Sequence, residues 1–148
     1  MTAQSPIAPA MKTNRSIPAC TIIPELAYAD VGEAAAWLCE AFGFSERLRI
    51  GNHRIQLNCG DGALVVIEGG TESNAGHSTM VRVADVHEHC EHARACGAKV
   101  LREPTDYPYG ERQYTAQDPG GHVWVFSQSI ADVDPADWGG VLVDDRRT

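Results

Sequence analysis

Three side chains that could bind a metal lie close together in the stretch HEHCEHARAC, residues 87–96. His89, His92 and Cys96 would fall on nearly one face of a helix, at i, i+3 and i+7. Imidazole and thiolate are ligands that Zn²⁺ prefers. Histidines on an amphipathic helix are more commonly solvated or packed, and we favour that interpretation. Cys90 lies on the apolar stripe of the same helix, which predicts a buried, unreactive thiol.

A second group with chemical potential is the loop DYPYGER, residues 106–112. Tyr107, Tyr109 and Arg112 bring aromatic and cationic groups into a segment with Pro and Gly, where they could close over a ligand. The alternative is an ordinary ordered turn. The pattern leaves the direction of the Arg112 side chain open.

An internal repeat positions these groups. The segments AYADVGEAAAWLCEAFGF (27–44) and RVADVHEHCEHARACGAK (82–99) share Ala-Asp-Val-x-Glu, a helical pattern and a glycine. A β-rich run precedes each copy, and further strands separated by glycine-containing turns follow it. Asp30 and Asp85 are the predicted helix N-caps. The unit is therefore β-α-β-β-β used twice, which predicts an α+β fold.

The length of 148 residues and the hydrophobic content of 43% predict one globular domain. The predicted organisation is a flexible tail over residues 1–19, a domain over 20–130 with modules 20–70 and 76–130, and a C-terminal extension over 131–148. The extension contains Trp138 and a glycine pair, and it could dock on the body or on a partner chain, or remain a loose tail.

Composition excludes several functions. A net charge of -8 repels nucleic acid and anionic membranes. The longest aliphatic run, residues 63–67, is too short to cross a bilayer, and the first residues lack the apolar core of a signal peptide, which predicts a cytoplasmic protein. The cysteine count of 5 is odd and includes no C-x-x-C pair, so neither a disulfide framework nor a zinc knuckle is expected.

The repeat, together with the final hairpin YGERQYTAQDPGGHVWVF, resembles the vicinal oxygen chelate superfamily of glyoxalases, bleomycin-resistance proteins and extradiol dioxygenases. The similarity extends from about residue 21 to residue 128. It implies two βαβββ modules that form a cupped, partly open β-barrel with helices on the outside. It also implies that two chains pair into a homodimer.

The resemblance further implies four metal ligands, one near the first strand and one in the last strand of each module. Counting from the repeated landmarks places these positions at Ile23, Val66, Ser78 and Val125. Aliphatic side chains and one serine cannot hold a divalent ion, so we predict no metal and no cofactor. A shift of two residues in the first module would instead bring in Glu25 and Glu68.

Strand alternation from these positions predicts the lining of the cup, with His122, Trp124 and Phe126 facing the helices instead. The predicted ligand-binding residues are Glu25, Glu68, Met80, Arg82, Tyr109, Arg112 and Val125. The two glutamates could bind a cation or act as a general base, although solvated strand ends are the favoured alternative. Arg82 could bind an anionic group or form an ion pair with one of these glutamates.

The leading functional hypothesis is a metal-independent small-molecule-binding protein of the bleomycin-resistance type. It would take up a small cationic or aromatic compound in the apolar cup, without changing it. One alternative is a metal-dependent lyase, isomerase or dioxygenase of the same superfamily. Another is a metal-free enzyme that transfers a proton through a carboxylate or tyrosine in the cup.

Overall fold

The computed structural model describes residues 12–69 and 77–143. In chain order the elements are β1 (Glu25–Tyr28), α1 (Val31–Phe42), β2 (Ser45–Ile50), β3 (Arg54–Cys59), β4 (Gly62–Glu68), β5 (Thr79–Arg82), α2 (Val86–Ala95), β6 (Lys99–Tyr107), β7 (Glu111–Gln117), β8 (Val123–Ser129) and a 3-10 helix (Pro135–Trp138). Neither helix in the described part is long and apolar enough to cross a membrane.

The two modules predicted from the repeat are confirmed. The first sheet has the strand order β1-β4-β3-β2, and the second has the equivalent order β5-β8-β7-β6. In each module the strand before the helix pairs in parallel with the last strand, and the other pairs are antiparallel hairpins. The fold is α+β as predicted, and within the described ranges the two sheets do not close into a single barrel.

The repeated aspartates begin the two helices, as predicted. The Asp30 carboxylate accepts a hydrogen bond from the Glu33 amide at 2.9 Å, and Asp85 accepts one from the Glu88 amide at 3.0 Å. Each bond satisfies a backbone donor that has no partner inside its helix. Gly43 then ends α1 with a φ of 83°, a conformation that other residues rarely adopt.

One hydrophobic core joins the modules. We call the side of each sheet covered by its own helix the inner face, and the opposite side the outer face. The Phe42 ring at the end of α1 packs against Trp124 and Phe126 of β8, with ring centroids 5.3 Å and 4.8 Å apart. Trp124 and Phe126 are fully buried, so their predicted direction towards the helix layer is confirmed. The inner faces of both sheets therefore contribute to the same core.

A buried carboxylate ties the second module to the first. Asp118, in the turn between β7 and β8, accepts hydrogen bonds from the Tyr28 hydroxyl at 2.5 Å, the Trp124 indole at 3.0 Å and the His122 amide at 2.9 Å. His122 also donates from Nε2 to the Ala27 carbonyl at 2.7 Å, since a carbonyl can only accept. The Asp-Pro-Gly-Gly turn therefore fixes the end of β1 against the second sheet.

The space around this carboxylate is fully used. A Cβ atom at Gly120 would lie 2.5 Å from the Tyr28 ring, so this turn position requires a glycine. Burial, followed by the charge of Asp118, raises the pKa of Tyr28 well above its ordinary value. The Tyr28 hydroxyl consequently stays protonated and remains a donor to Asp118.

His89 serves the core rather than a metal site. Its Nε2 donates to the Phe42 carbonyl at 3.2 Å, so Nδ1 of the neutral ring accepts from the Tyr114 hydroxyl at 2.6 Å. The ring also lies against Phe126, with centroids 4.2 Å apart. Both ring nitrogens of His89 are engaged in these hydrogen bonds. His89 therefore cannot bind a metal together with His92 and Cys96, the candidate ligand set taken from the sequence.

We expect Asp118→Asn to lower the free energy of unfolding by about 2–4 kcal/mol. The asparagine amide has only one acceptor oxygen, whereas the donors to Asp118 use both carboxylate oxygens. Tyr28→Phe removes a single donor and should cost less, about 1 kcal/mol. Urea denaturation measures both. Asp61→Asn, in the exposed turn of the first module, is the matched control and should change little. Equal stability of Asp118→Asn and wild type would contradict this account.

Stability should also depend on pH through His89. Burial lowers the pKa of His89, so just below its ordinary value of about 6.5 the unfolded chain binds a proton that the folded chain does not. This contribution is complete above about pH 6.5 and is lost as the pH falls towards the folded-state pKa. Compared with His89→Gln, which stays neutral, wild type should lose relative stability between about pH 7.5 and 5. A difference that is constant over this range would exclude the effect, and exposed His53→Gln is the control.

Candidate functional site

Three of the predicted ligand-binding residues share the outer face of the second sheet. Met80 pairs with Val125 and Arg82 pairs with Ser127 in the parallel register of β5 and β8. Because Trp124 and Phe126 point into the core, alternation places Val125 and Ser127 on the opposite side. Met80 is 60% exposed, so this face is open to solvent at β5, whereas Ser127 is buried.

A row of polar side chains crosses the same face. The Ser127 hydroxyl donates to Glu111 at 2.6 Å, and the Gln113 amide donates to Ser127 at 3.0 Å. Tyr109 then donates to the Gln113 carbonyl oxygen at 3.3 Å. We call Glu111, Gln113 and Ser127 the polar row. Sequence reasoning missed Glu111 and Gln113, although the alternation of β7 opposite Val125 and Ser127 would have identified them.

Aromatic rings stand at one end of the polar row. Tyr107 and Tyr109 are stacked, with centroids 5.4 Å apart and ring planes 8° from parallel. Trp138 of the 3-10 helix lies 5.4 Å from Tyr109 and is 46% exposed. We call these three residues the aromatic cluster. The ring of Tyr109 belongs to the cluster while its hydroxyl contacts the polar row.

The C-terminal extension docks where it can complete this cluster. The Gly110 carbonyl accepts hydrogen bonds from Ile130 at 2.8 Å and Ala131 at 3.3 Å. A Cβ at Gly110 would come within 2.4 Å of the Ala131 carbonyl oxygen, so only glycine permits this approach. The sequence left open whether the extension docks on the body, docks on a partner chain or remains a loose tail. In the structure, residues 131–138 dock on the body of their own chain.

Two arginines border the same face. Arg82 donates to the Ser129 hydroxyl at 3.2 Å, and Arg102 donates to the Tyr107 hydroxyl at 3.2 Å. Within residues 12–69 and 77–143, no carboxylate lies within ion-pair distance of Arg82. The predicted ion pair between Arg82 and Glu25 or Glu68 is therefore not formed.

The two candidate glutamates lie on opposite faces of the first sheet, whereas the prediction placed both in the cup. Glu25 pairs with Val65 and lies on the outer face of the first sheet, where it forms an ion pair with Arg54 at 2.7 Å. Glu68 pairs with Tyr28, whose ring points into the core, so Glu68 belongs to the inner side at the end of its strand. The prediction placed Val66 in the cup, whereas Val66 is fully buried on the inner face.

Arg112 also lies away from the outer face of the second sheet. It pairs with Gln128 in the β7–β8 ladder, one position out of phase with Glu111 and Gln113. Its guanidinium forms an ion pair with Asp106 at 2.6 Å, and this hydrogen bond lowers the pKa of Asp106. Tyr107, Tyr109 and Glu111 thus link the predicted loop to the candidate site, and Arg112 stabilises the hairpin.

The outer face of the first sheet is partly covered by the chain itself. Arg47 donates to the carbonyls of Arg15 at 3.0 Å and Ile17 at 3.3 Å, and Gln56 donates to the Ser16 carbonyl at 2.9 Å. A cavity of about 260 Å³ remains beneath this segment. Residues 1–11 of the predicted flexible tail lie outside the described part, but residues 15–18 pack on the sheet.

A metal at the positions implied by the resemblance does not fit these residues. The second sheet offers Met80 and Val125 at the paired outer positions of β5 and β8. The first sheet offers Val65 there, with Ile23 just before β1. A divalent ion requires imidazole, carboxylate or thiolate ligands, and these positions supply a single thioether. Glu25, on the outer face of the first sheet, is engaged by Arg54.

Comparison with known proteins agrees with the duplicated architecture. The family model of the Glyoxalase/Bleomycin resistance protein/Dioxygenase superfamily matches residues 18–126. The chain belongs to this superfamily. No curated protein matches it.

Several solved structures share the fold. TioX from Micromonospora sp. ML1 is 36% identical, with 78% of this chain and 100% of that chain covered and a TM-score of 0.63. A glyoxalase-related enzyme from Fulvimarina pelagi is 18% identical, with coverages of 74% and 88% and a TM-score of 0.63. The fosfomycin resistance protein FosX from Listeria monocytogenes is 15% identical, with coverages of 76% and 94% and a TM-score of 0.65. The last two likenesses concern the fold alone.

Proposed function

We propose that this protein binds a planar aromatic small molecule on the outer face of its second sheet, without a metal and without transforming the ligand. The observation that carries this proposal is the continuity of the aromatic cluster with the polar row. An apolar floor around Met80 and Val125 adjoins the polar row beside Ser127. Apolar surface with a few placed polar groups is the usual composition of a small-molecule site.

Each part of the face has a distinct role in binding. A planar ligand stacks on the exposed side of the aromatic cluster, where each ring pair contributes about 0.5–1.5 kcal/mol beyond the area it buries. The polar row orients the ligand, because Glu111 accepts hydrogen bonds while Gln113 can both donate and accept.

Charge favours a cationic ligand over an anionic one. The net charge of -8 attracts cations to the protein at long range, and Glu111 is the carboxylate of the site itself. Arg82 and Arg102 at the border can hold a polar or anionic substituent at the edge of the ring. A cationic aromatic compound with a polar substituent therefore matches the face best.

A metal-free enzyme is the second candidate, and the contact between Ser127 and Glu111 at 2.6 Å favours it. Glu111 is half-buried and would be the proton acceptor, in place of the Glu68 considered from sequence. Analysis of the bound compound after incubation distinguishes the two functions. Recovery of unchanged ligand supports binding alone, whereas a product that disappears in Glu111→Gln supports catalysis.

We also propose that the protein works as a homodimer. The outer face of the second sheet carries the exposed apolar side chain of Met80, at 60%. A second copy could cover part of this face and complete the walls around the ligand. Light scattering of the full chain should then report twice the chain mass, and a monomer at all concentrations would argue against this arrangement.

Titration with acridine, quinoline and their N-methylated cations tests the binding proposal. We expect quenching of tryptophan fluorescence, because Trp138 is exposed beside the stacking surface. The cations should bind more tightly than the neutral compounds. Tyr109→Ala should weaken binding about tenfold, the loss expected for one stacked ring and its hydrogen bond. A chelator should have no effect.

Ile50→Ala is the matched control, since it removes an exposed apolar group from the outer face of the other sheet. It should leave the dissociation constant unchanged. If Ile50→Ala weakens binding and Tyr109→Ala does not, the ligand site lies on the first sheet. If no compound of the panel binds, the aromatic ligand class is excluded.

A further inference from the structure

Side chains of both helices converge at a place remote from the aromatic cluster. Glu40 near the end of α1 and His92 and Cys96 at the end of α2 offer ligand atoms that all lie within 4.8 Å of one another. The sequence pointed to His89 as the third member of this group. The structure commits His89 to the core and brings in Glu40 from the other module instead.

The spacing of the nitrogen and sulfur atoms suits a tetrahedral ion. His92 Nε2 and Cys96 Sγ are 3.7 Å apart. With bond lengths of about 2.3 Å to sulfur and about 2.0 Å to nitrogen, a tetrahedral Zn²⁺ places these two ligands about 3.5 Å from each other. The Glu40 side chain is exposed, so its carboxylate can move the remaining distance without disturbing the core.

The backbone that carries these ligands is already held in place. Trp37 of α1 donates from its indole to the Cys96 carbonyl at 2.8 Å, and His92 Nε2 donates to the Glu40 carbonyl at 2.8 Å. To bind a metal through Nε2, the His92 ring shifts its proton to Nδ1 and releases the Glu40 carbonyl. The Trp37 bond to the Cys96 carbonyl uses no ligand atom, so it can hold α1 against the end of α2 when the ion binds.

We propose that Glu40, His92 and Cys96 form a Zn²⁺ site between α1 and α2, with water as the fourth ligand. A thiolate, an imidazole and a carboxylate suit Zn²⁺ or Co²⁺ and disfavour Mg²⁺ and Ca²⁺, which require oxygen ligands. Binding displaces the thiol proton of Cys96 into solvent, so affinity decreases as the pH falls. The ion cross-links the helices of the two modules and stabilises the folded chain.

This site is separate from the positions that the family uses for its metal. Those positions lie on the outer faces of the sheets, whereas Glu40, His92 and Cys96 lie at the junction of the helices. The aromatic cluster is formed by other elements, namely the end of β6, the turn after it and the 3-10 helix. Zinc binding and ligand binding can therefore succeed or fail independently.

Titration of the full reduced chain with Co²⁺ tests the proposal. We expect one ion per chain, intense visible bands of tetrahedral cobalt and a near-ultraviolet thiolate-to-cobalt charge-transfer band. Zn²⁺ should displace the cobalt and raise the melting temperature. Cys96→Ser should abolish the charge-transfer band, and His92→Gln and Glu40→Gln should each weaken binding about tenfold or more, as loss of a ligand predicts.

Two control variants separate this site from other thiols and histidines. Cys59→Ser removes a half-buried thiol from β3, and His87→Gln removes an exposed histidine from the first turn of α2. Both should bind cobalt as wild type does. Melting of each metal-free variant verifies that it folds. A charge-transfer band that persists in Cys96→Ser, or a weak octahedral cobalt spectrum in wild type, would overturn the proposal.

Discussion

The arrangement of the two modules depends on the buried carboxylate of Asp118. It receives three donors from both halves of the chain, and no cationic side chain within residues 12–69 and 77–143 forms an ion pair with it. Burying a charge is costly unless hydrogen bonds replace its hydration, and here the Tyr28 hydroxyl, the Trp124 indole and a backbone amide replace it. These bonds fix the end of β1 against the β7–β8 turn. The hydrophobic core around Phe42 can then form across the module boundary.

Joining the modules through their inner faces determines which surfaces are available for function. The outer face of the first sheet is partly covered by residues 15–18, whose carbonyls bind Arg47 and Gln56. The outer face of the second sheet stays open and carries the aromatic cluster and the polar row. The same fold therefore gives its two halves different roles, although both descend from one repeated unit.

The candidate metal ligands of this chain lie away from the positions that the superfamily resemblance implies. At the outer-face positions this chain has aliphatic groups and a thioether, which cannot replace the hydration shell of a divalent ion. The helix junction instead gathers a thiol, an imidazole and a carboxylate. The residues at the outer-face positions are inferred from the strand register, and the group at the helix junction from the contact between helices. The two are therefore independent properties of the chain.

The elements of this protein could be predicted because their signals are local. Asp30 and Asp85 mark helix starts through bonds to amides three residues away, and Gly43 ends a helix through its own backbone conformation. The alternation of β8 likewise gave the correct direction for Trp124 and Phe126. Such signals need no knowledge of distant parts of the chain.

The tertiary structure decided which face of β4 is turned to the core and which residues form the sites. Residues 63–66 are all buried, because the core covers one face of β4 and residues 15–18 help to cover the other, so no alternation shows which side faces inwards. The direction of the Arg112 side chain likewise depended on the strand register. Glu40 meets His92 only because the helices of different modules touch. By itself, the sequence determined the repeated unit and its caps, whereas the faces and the convergence of side chains arose from packing between segments far apart in the chain.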